Sequence, residues 1–150
     1  MQKNKLSRIL AIDYGQKRVG FAVTDEFRIC ATPLDTIHVS KSFDFIKDYI
    51  SKEKVDVIVV GEPKKMDNTN SDAARFIEPF VNRLRKELQE IEIVRIDERF
   101  TSKLAFQTMI DAGLKKKDRQ NKELVDKISA TIILQSYLLY LETIQIRNNK

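Results

Sequence analysis

Residues 8–25 read RILAIDYGQKRVGFAVTD. An apolar run of strand character ends on an aspartate, a tyrosine and a glycine, and a second run, RVGFAVT, returns after a gap of turn length. A strand followed so closely by another can only pair with it antiparallel, because a parallel partner needs a long crossover. A third strand-like run, FRICATPL at 27–34, follows after another short connection. The chain is therefore expected to open as a three-stranded antiparallel meander.

The rhythm then changes. Phe43, Ile46 and Ile50 recur at helical spacing within residues 41–53, and VDVIVVG at 55–61 is a β-branched run of the kind buried on both faces of a parallel sheet. Ala73, Phe76, Ile77, Phe80, Leu84 and Leu88 mark a helix over 70–88, with Asn70 or Ser71 as its cap and Pro79 expected to kink it. IEIVRID at 91–97 alternates as a strand, and Thr101 or Ser102 caps a further helix to about Asp111, closed by Gly113. Residues 114–123 lack apolar periodicity and read as a mobile loop. A long helix spans roughly 123–142, and the tail at 143–150 is expected to fray. The order β-β-β-α-β-α-β-α-α describes an α/β fold: a mixed five-stranded sheet, three strands antiparallel and then two parallel, flanked by helices. With neither repeat nor linker, residues 1–150 are read as one domain.

The chemistry open to such a chain is narrowed by what it lacks. Cys30 and His38 are the sole cysteine and histidine, which removes disulfides, cysteine-rich zinc sites and the two-histidine zinc helix. Cys30 is expected to serve as a small apolar side chain in a strand. Catalysis would have to run on carboxylates. The excess of 27 Lys+Arg over 22 Asp+Glu gives a net charge of +5, which favours anionic partners and solubility alike. The first apolar run stops at Asp13, too short for a signal peptide or a membrane span, so a cytoplasmic location is expected.

Three acids occupy positions that stability does not favour. Asp13 ends the first strand, Glu98 follows the last, and Asp126 shares a helical face with Ala130, Ile133 and Tyr137. If the first and last strands run the same way, Asp13 and Glu98 meet at the sheet edge where open α/β sheets bind ligands. An acid on an apolar stripe needs a proton or a counter-charge, and a cation held among oxygen ligands alone would be magnesium or manganese. Each acid also has a plainer reading: Asp13 as a turn residue, Glu98 paired with Arg95 or Arg99, Asp126 as a helix-start acid complementing the macrodipole.

These residues lie in four segments, DYGxKRxGxAxTD at 13–25, VxVVGEPxxMDNT at 57–69, RIDERFTS at 95–102 and NKxLVDKISATIILQSYL at 121–138. Together and in this order they resemble the YqgF (RuvX-like) family, described as pre-16S rRNA nucleases and earlier as Holliday junction resolvases. The resemblance implies a ribonuclease-H-like fold and an acidic metal centre at Asp13, Glu98 and Asp126. Many members carry a GLPLNMDGT-like segment where this chain has GEPKKMDNT at 61–69, departing at Glu62, Lys64, Lys65 and Asn68, so the resemblance carries over the three acids and not the substrate contacts of that loop.

The resemblance further implies phosphodiester hydrolysis with two magnesium or manganese ions held by the three acids. Gly15 would allow a phosphate close to the turn. Lys17, Arg18, Lys64, Lys65 and Arg99 would clamp phosphates, and Lys115, Lys116 and Lys117 could close over a bound strand or remain a solvated charge run. Tyr14 and Phe100 are the aromatics nearest the acids. The implied partners are structured RNA, branched DNA or ribosomal precursor particles, with the protein acting as monomer or homodimer. The same DxGxxxxxG pattern also resembles the phosphate loop of actin-like ATPases, but those close two such domains around a nucleotide. A non-catalytic RNA-binding assembly factor is the third reading, and three acids at a phosphate-binding face argue against it.

Overall fold

The computed structural model describes residues 7–62, 74–97 and 122–148, with side chains in the last helix from residue 128 onward. The elements are β1 (Arg8–Tyr14), β2 (Arg18–Thr24), β3 (Ala31–His38), a short 3-10 helix (Val39–Lys41), α1 (Ser42–Lys52), β4 (Val55–Glu62), α2 (Ala74–Glu87), β5 (Glu92–Asp97) and α3 (Lys122–Asn148). The strands form one sheet in the order β3-β2-β1-β4-β5. β1 pairs antiparallel with β2, and β2 with β3; β1 pairs parallel with β4, and β4 with β5. This is the mixed sheet that the short early connections and the later helical crossovers predict.

Both faces of the central strands are apolar and each covers a different core. Along β1, Leu10 and Ile12 join a cluster with Phe43 and Ile46 of α1 and Ile77, Phe80, Val81 and Leu84 of α2. Ile9 and Ala11 face the other way, packing with Ala22, Val57 and Val59 against Ala130, Ile133, Leu134 and Tyr137 of α3. The two-residue period of the strand produces this division, and it fixes the face on which each residue at the end of β1 lies.

The direction of α3 follows from its neighbours. Leu138, Leu139 and Glu142 in its carboxyl half share a cavity with Ile29, Cys30 and Ala31 at the start of β3, the edge where β1 also begins. The amino end of α3 is thereby directed toward the edge where β1, β4 and β5 terminate.

Several boundaries differ from the sequence reading. β3 starts at Ala31, because the Asp25 carboxylate accepts N–H bonds from Phe27 (3.2 Å), Ile29 (2.7 Å) and Cys30 (2.8 Å) and turns residues 26–30 into a loop. Arg28 sits there in the left-handed region at φ 58°. Cys30 consequently lies outside the strand and is exposed, not the apolar strand residue its composition suggested. α2 runs through Pro79 to Glu87, and α3 continues to Asn148, across residues expected to fray. The helix anticipated over 101–111 lies outside the described residues, as does the loop anticipated from 114 up to residue 121. Among the described residues no helix is long and apolar enough to cross a membrane.

Candidate active site

The parallel strands bring their carboxyl ends to one edge. Ile12 of β1 is level with Val60 of β4, Gly61 with Ile96 of β5, and Glu62 with Asp97. Asp13 lies one residue beyond Ile12 and opposite Gly20 of β2. By strand alternation it shares its face with Ile9 and Ala11, the face covered by α3. Asp126 belongs to the amino-terminal turns of that same helix, one turn before buried Ala130. Asp13 thus lies on the sheet face that α3 covers, at the edge toward which the helix directs its amino end.

Tyr14 takes the opposite face. Its ring stacks on Phe80 of α2 with centroids 4.4 Å apart, and burial pushes its hydroxyl pKa up. This aromatic is engaged in the core by its stack on Phe80. Phe100 lies outside the described residues.

The turn between β1 and β2 is closed by the Gly15 N–H donating to the Arg18 carbonyl at 2.9 Å. A Cβ on residue 15 would stand 2.5 Å from that same carbonyl oxygen. Glycine is thus required by the chain's own backbone, before any phosphate is considered. Lys17 is exposed at the tip, and its carbonyl accepts from the Val39 N–H at 2.9 Å, tying the turn to the end of β3. Arg18 opens β2 opposite His38 of β3.

Two further acids at this edge were not singled out in the sequence. Glu62 and Asp97 are register partners at the ends of β4 and β5, and alternation puts them on the α1/α2 face, away from Asp13. The signal that marks Asp13, an acid closing an apolar strand, is present in VIVVGE and EIVRID too. Behind them Arg95 bonds Glu78 of α2 through Nη1 at 2.8 Å. Glu98, Lys64, Lys65, Arg99, Lys115, Lys116 and Lys117 lie outside the described residues, as does the side chain of Asp126. Among the described residues no three His, Cys, Asp or Glu side chains form a metal-holding group. Asp13, a partly buried carboxylate at the end of β1, offers the oxygen donors that a hard cation takes.

A family model described as "RuvX: Holliday junction resolvase" matches residues 7–140. The chain belongs to the RuvX family. A relative from Phocaeicola vulgatus named "Putative pre-16S rRNA nuclease" is 60% identical over 133 residues, covering 89% of this chain and 96% of its own length. One of the same name from Flavobacterium psychrophilum is 57% identical over 133 residues, covering 89% and 97%. Among solved structures, T. thermophilus RuvC in complex with Holliday junction substrate superposes with a TM-score of 0.52 at 13% identity, covering 85% of this chain and 91% of that one. At that identity the likeness is one of fold, and it agrees with the ribonuclease-H-like sheet expected of this RuvX chain.

Proposed function

We propose that this RuvX-family chain is a metal-dependent nuclease that hydrolyses phosphodiester bonds, acting in 5′-end maturation of the 16S rRNA precursor. The observation that supports it most is the position of Asp13, a carboxylate ending β1 on the face and at the edge toward which α3 directs its amino end. The relatives' shared name supplies the substrate.

Asp13, Glu98 and Asp126 would hold magnesium or manganese, since all three offer only oxygen donors. The chemistry such ions supply when bound is activation of a water and stabilisation of the attacking and leaving oxygens. Asp13 would contribute a ligand from backbone held in the β1–β2 ladder opposite Gly20. Lys17 and Arg18 flank it on the adjoining turn and would hold substrate phosphates by charge. Lys64, Lys65, Arg99 and the lysines at 115–117 are proposed for the same task.

Resolution of DNA four-way junctions is the second reading, favoured by the description of the family model that matches residues 7–140. The test incubates wild type and Asp13→Asn with a 5′-extended 16S precursor and with a synthetic four-way junction, with magnesium, manganese or chelator. Metal-dependent cutting by wild type and at least about a hundredfold loss in Asp13→Asn are expected, because losing a metal ligand forfeits several kcal/mol of transition-state stabilisation. Preference for the junction would favour the second reading. Binding without cutting under every condition would overturn both in favour of an assembly factor.

A further inference from the structure

Beside the Asp13 edge, the nuclease reading assigns Lys17 and Arg18 to substrate phosphates and leaves their neighbours His38 and Lys41 without a role. Arg18 and His38 are register partners across β2 and β3. Such partners project to the same face with Cβ atoms about 5 Å apart. Arg18 is two residues from Gly20, the residue opposite Asp13, so Asp13, Arg18 and His38 all belong to the α3 face of the sheet. Lys17 precedes Arg18 at the exposed tip of the turn, and the Val39 N–H on its carbonyl holds it against the short helix that ends at exposed Lys41.

His38 is set in one orientation. Its Nδ1 accepts the Ser40 N–H at 3.2 Å and lies 2.8 Å from Ser40 Oγ. With Nδ1 acting as acceptor, the ring proton of the neutral imidazole sits on Nε2, a donor on an exposed side chain. A row of two lysines, an arginine and an oriented N–H donor is the chemistry that grips a sugar–phosphate backbone. Asp35 and Asp44 are the nearby acids in the sequence. Asp35 accepts from the Thr36 N–H at 2.8 Å, and Asp44 lies in the first turn of α1, where the helix dipole favours it.

We propose that Lys17, Arg18, His38 and Lys41 form a track that carries the substrate's phosphate backbone away from the Asp13 edge across the ends of β2 and β3. The proposal rests on the nuclease reading for the identity of the polyanion, and adds His38 and Lys41 to the residues that recognise it. The grip is on phosphate and is therefore indifferent to base sequence.

The test measures binding of a fluorescein-labelled single-stranded RNA to the full chain by anisotropy, in chelator, across a series of salt concentrations. Lys41→Gln is expected to weaken binding several-fold and to lower the slope of log affinity against log salt by about 0.7, the value of one phosphate contact on a single strand. Lys41→Arg should restore the slope. His38→Ala should weaken binding without altering the slope, and His38→Gln, which keeps a donor, should recover part of the loss. Lys52→Gln, at the far end of α1, serves as the comparison and should change neither quantity. Unchanged affinity and slope in both Lys41→Gln and His38→Ala would overturn the track while leaving the nuclease reading intact. Failure of wild type to cut either substrate would overturn the nuclease reading, and the salt slopes would still decide the track.

Discussion

The Gly15 amide and the Arg18 carbonyl close the β1–β2 turn at 2.9 Å, and that carbonyl oxygen occupies the space a side chain on residue 15 would need. Asp13 lies two residues before Gly15, and Lys17 sits within the turn, one residue before Arg18. The turn thus sets the distance between the carboxylate and the first cation of the proposed site.

Gly15→Ala should accordingly destabilise the fold by about 1–3 kcal/mol, the usual cost of forcing an extra carbon into packed structure. The clash is with backbone, so no side-chain rearrangement relieves it. Denaturant unfolding checks the stability. Cleavage at a temperature where the variant is folded should also fall, through displacement of Asp13 and Lys17.

Tyr14 and Phe80 support the other side of β1. Phe80→Ala removes the ring on which Tyr14 stacks, and should cost about 3 kcal/mol, as large-to-small changes in a core do. Tyr14→Phe keeps the stack, and should leave both melting temperature and cleavage close to wild type. A large loss of cleavage in a stable Tyr14→Phe protein would show that the hydroxyl serves the reaction.

Burial by itself would raise the Asp25 carboxyl, but the N–H bonds from Cys30, Ile29 and Phe27 together outweigh it and hold its pKa below the usual aspartate value. A depressed folded value contributes stability that is present above the unfolded value and lost as pH falls through the folded one. Stability of the wild type should therefore drop below about pH 4 in part through this group. Asp25→Asn should flatten that part of the acid limb and be less stable at neutral pH. Urea midpoints from pH 2.5 to 7 would decide, and parallel curves would sink the idea.

Arg95 is nearly enclosed, and among the described residues it bonds through Nη1 to Glu78 while its buried Nε and Nη2 find no partner. A buried cation with unmet donors is a poor source of stability, and an apolar side chain of similar length is often tolerated or better. Arg95→Met should unfold at an equal or higher temperature than wild type. Glu78→Ala, which leaves the cation unpaired, should unfold lower. In the double variant the penalty of Glu78→Ala should largely vanish.

Much of this was readable from residue patterns because local rules and tertiary structure agree. The strand–turn–strand at 8–25 left only antiparallel pairing, and VDVIVVG could be satisfied only where both faces are covered, as in β4. The apolar stripe of α3 was legible because Ala130, Ile133 and Tyr137 pack on the sheet as their spacing requires. The start of β3 was missed because FRIC has strand composition, and only the reach of the Asp25 side chain shows why residues 26–30 turn away. The partners Glu62 with Asp97, and Arg18 with His38, were invisible for another reason: register across strands is a product of the assembled sheet.

The arginines at the opposite end of the sheet are already committed. Arg8 reaches Glu53, Glu26 and the Thr24 carbonyl, and Arg28 ties Ser7 to Asp56. Their charge is neutralised within the fold, whereas Lys17 and Lys41 stand exposed at the end where the parallel strands stop. The molecule thus divides along the strand axis, with one pole fastening the architecture and the other holding the exposed cations proposed to meet the substrate. Substrate preference can drift in descendants of this chain by changes at the second pole, without loosening the joints that keep the sheet together.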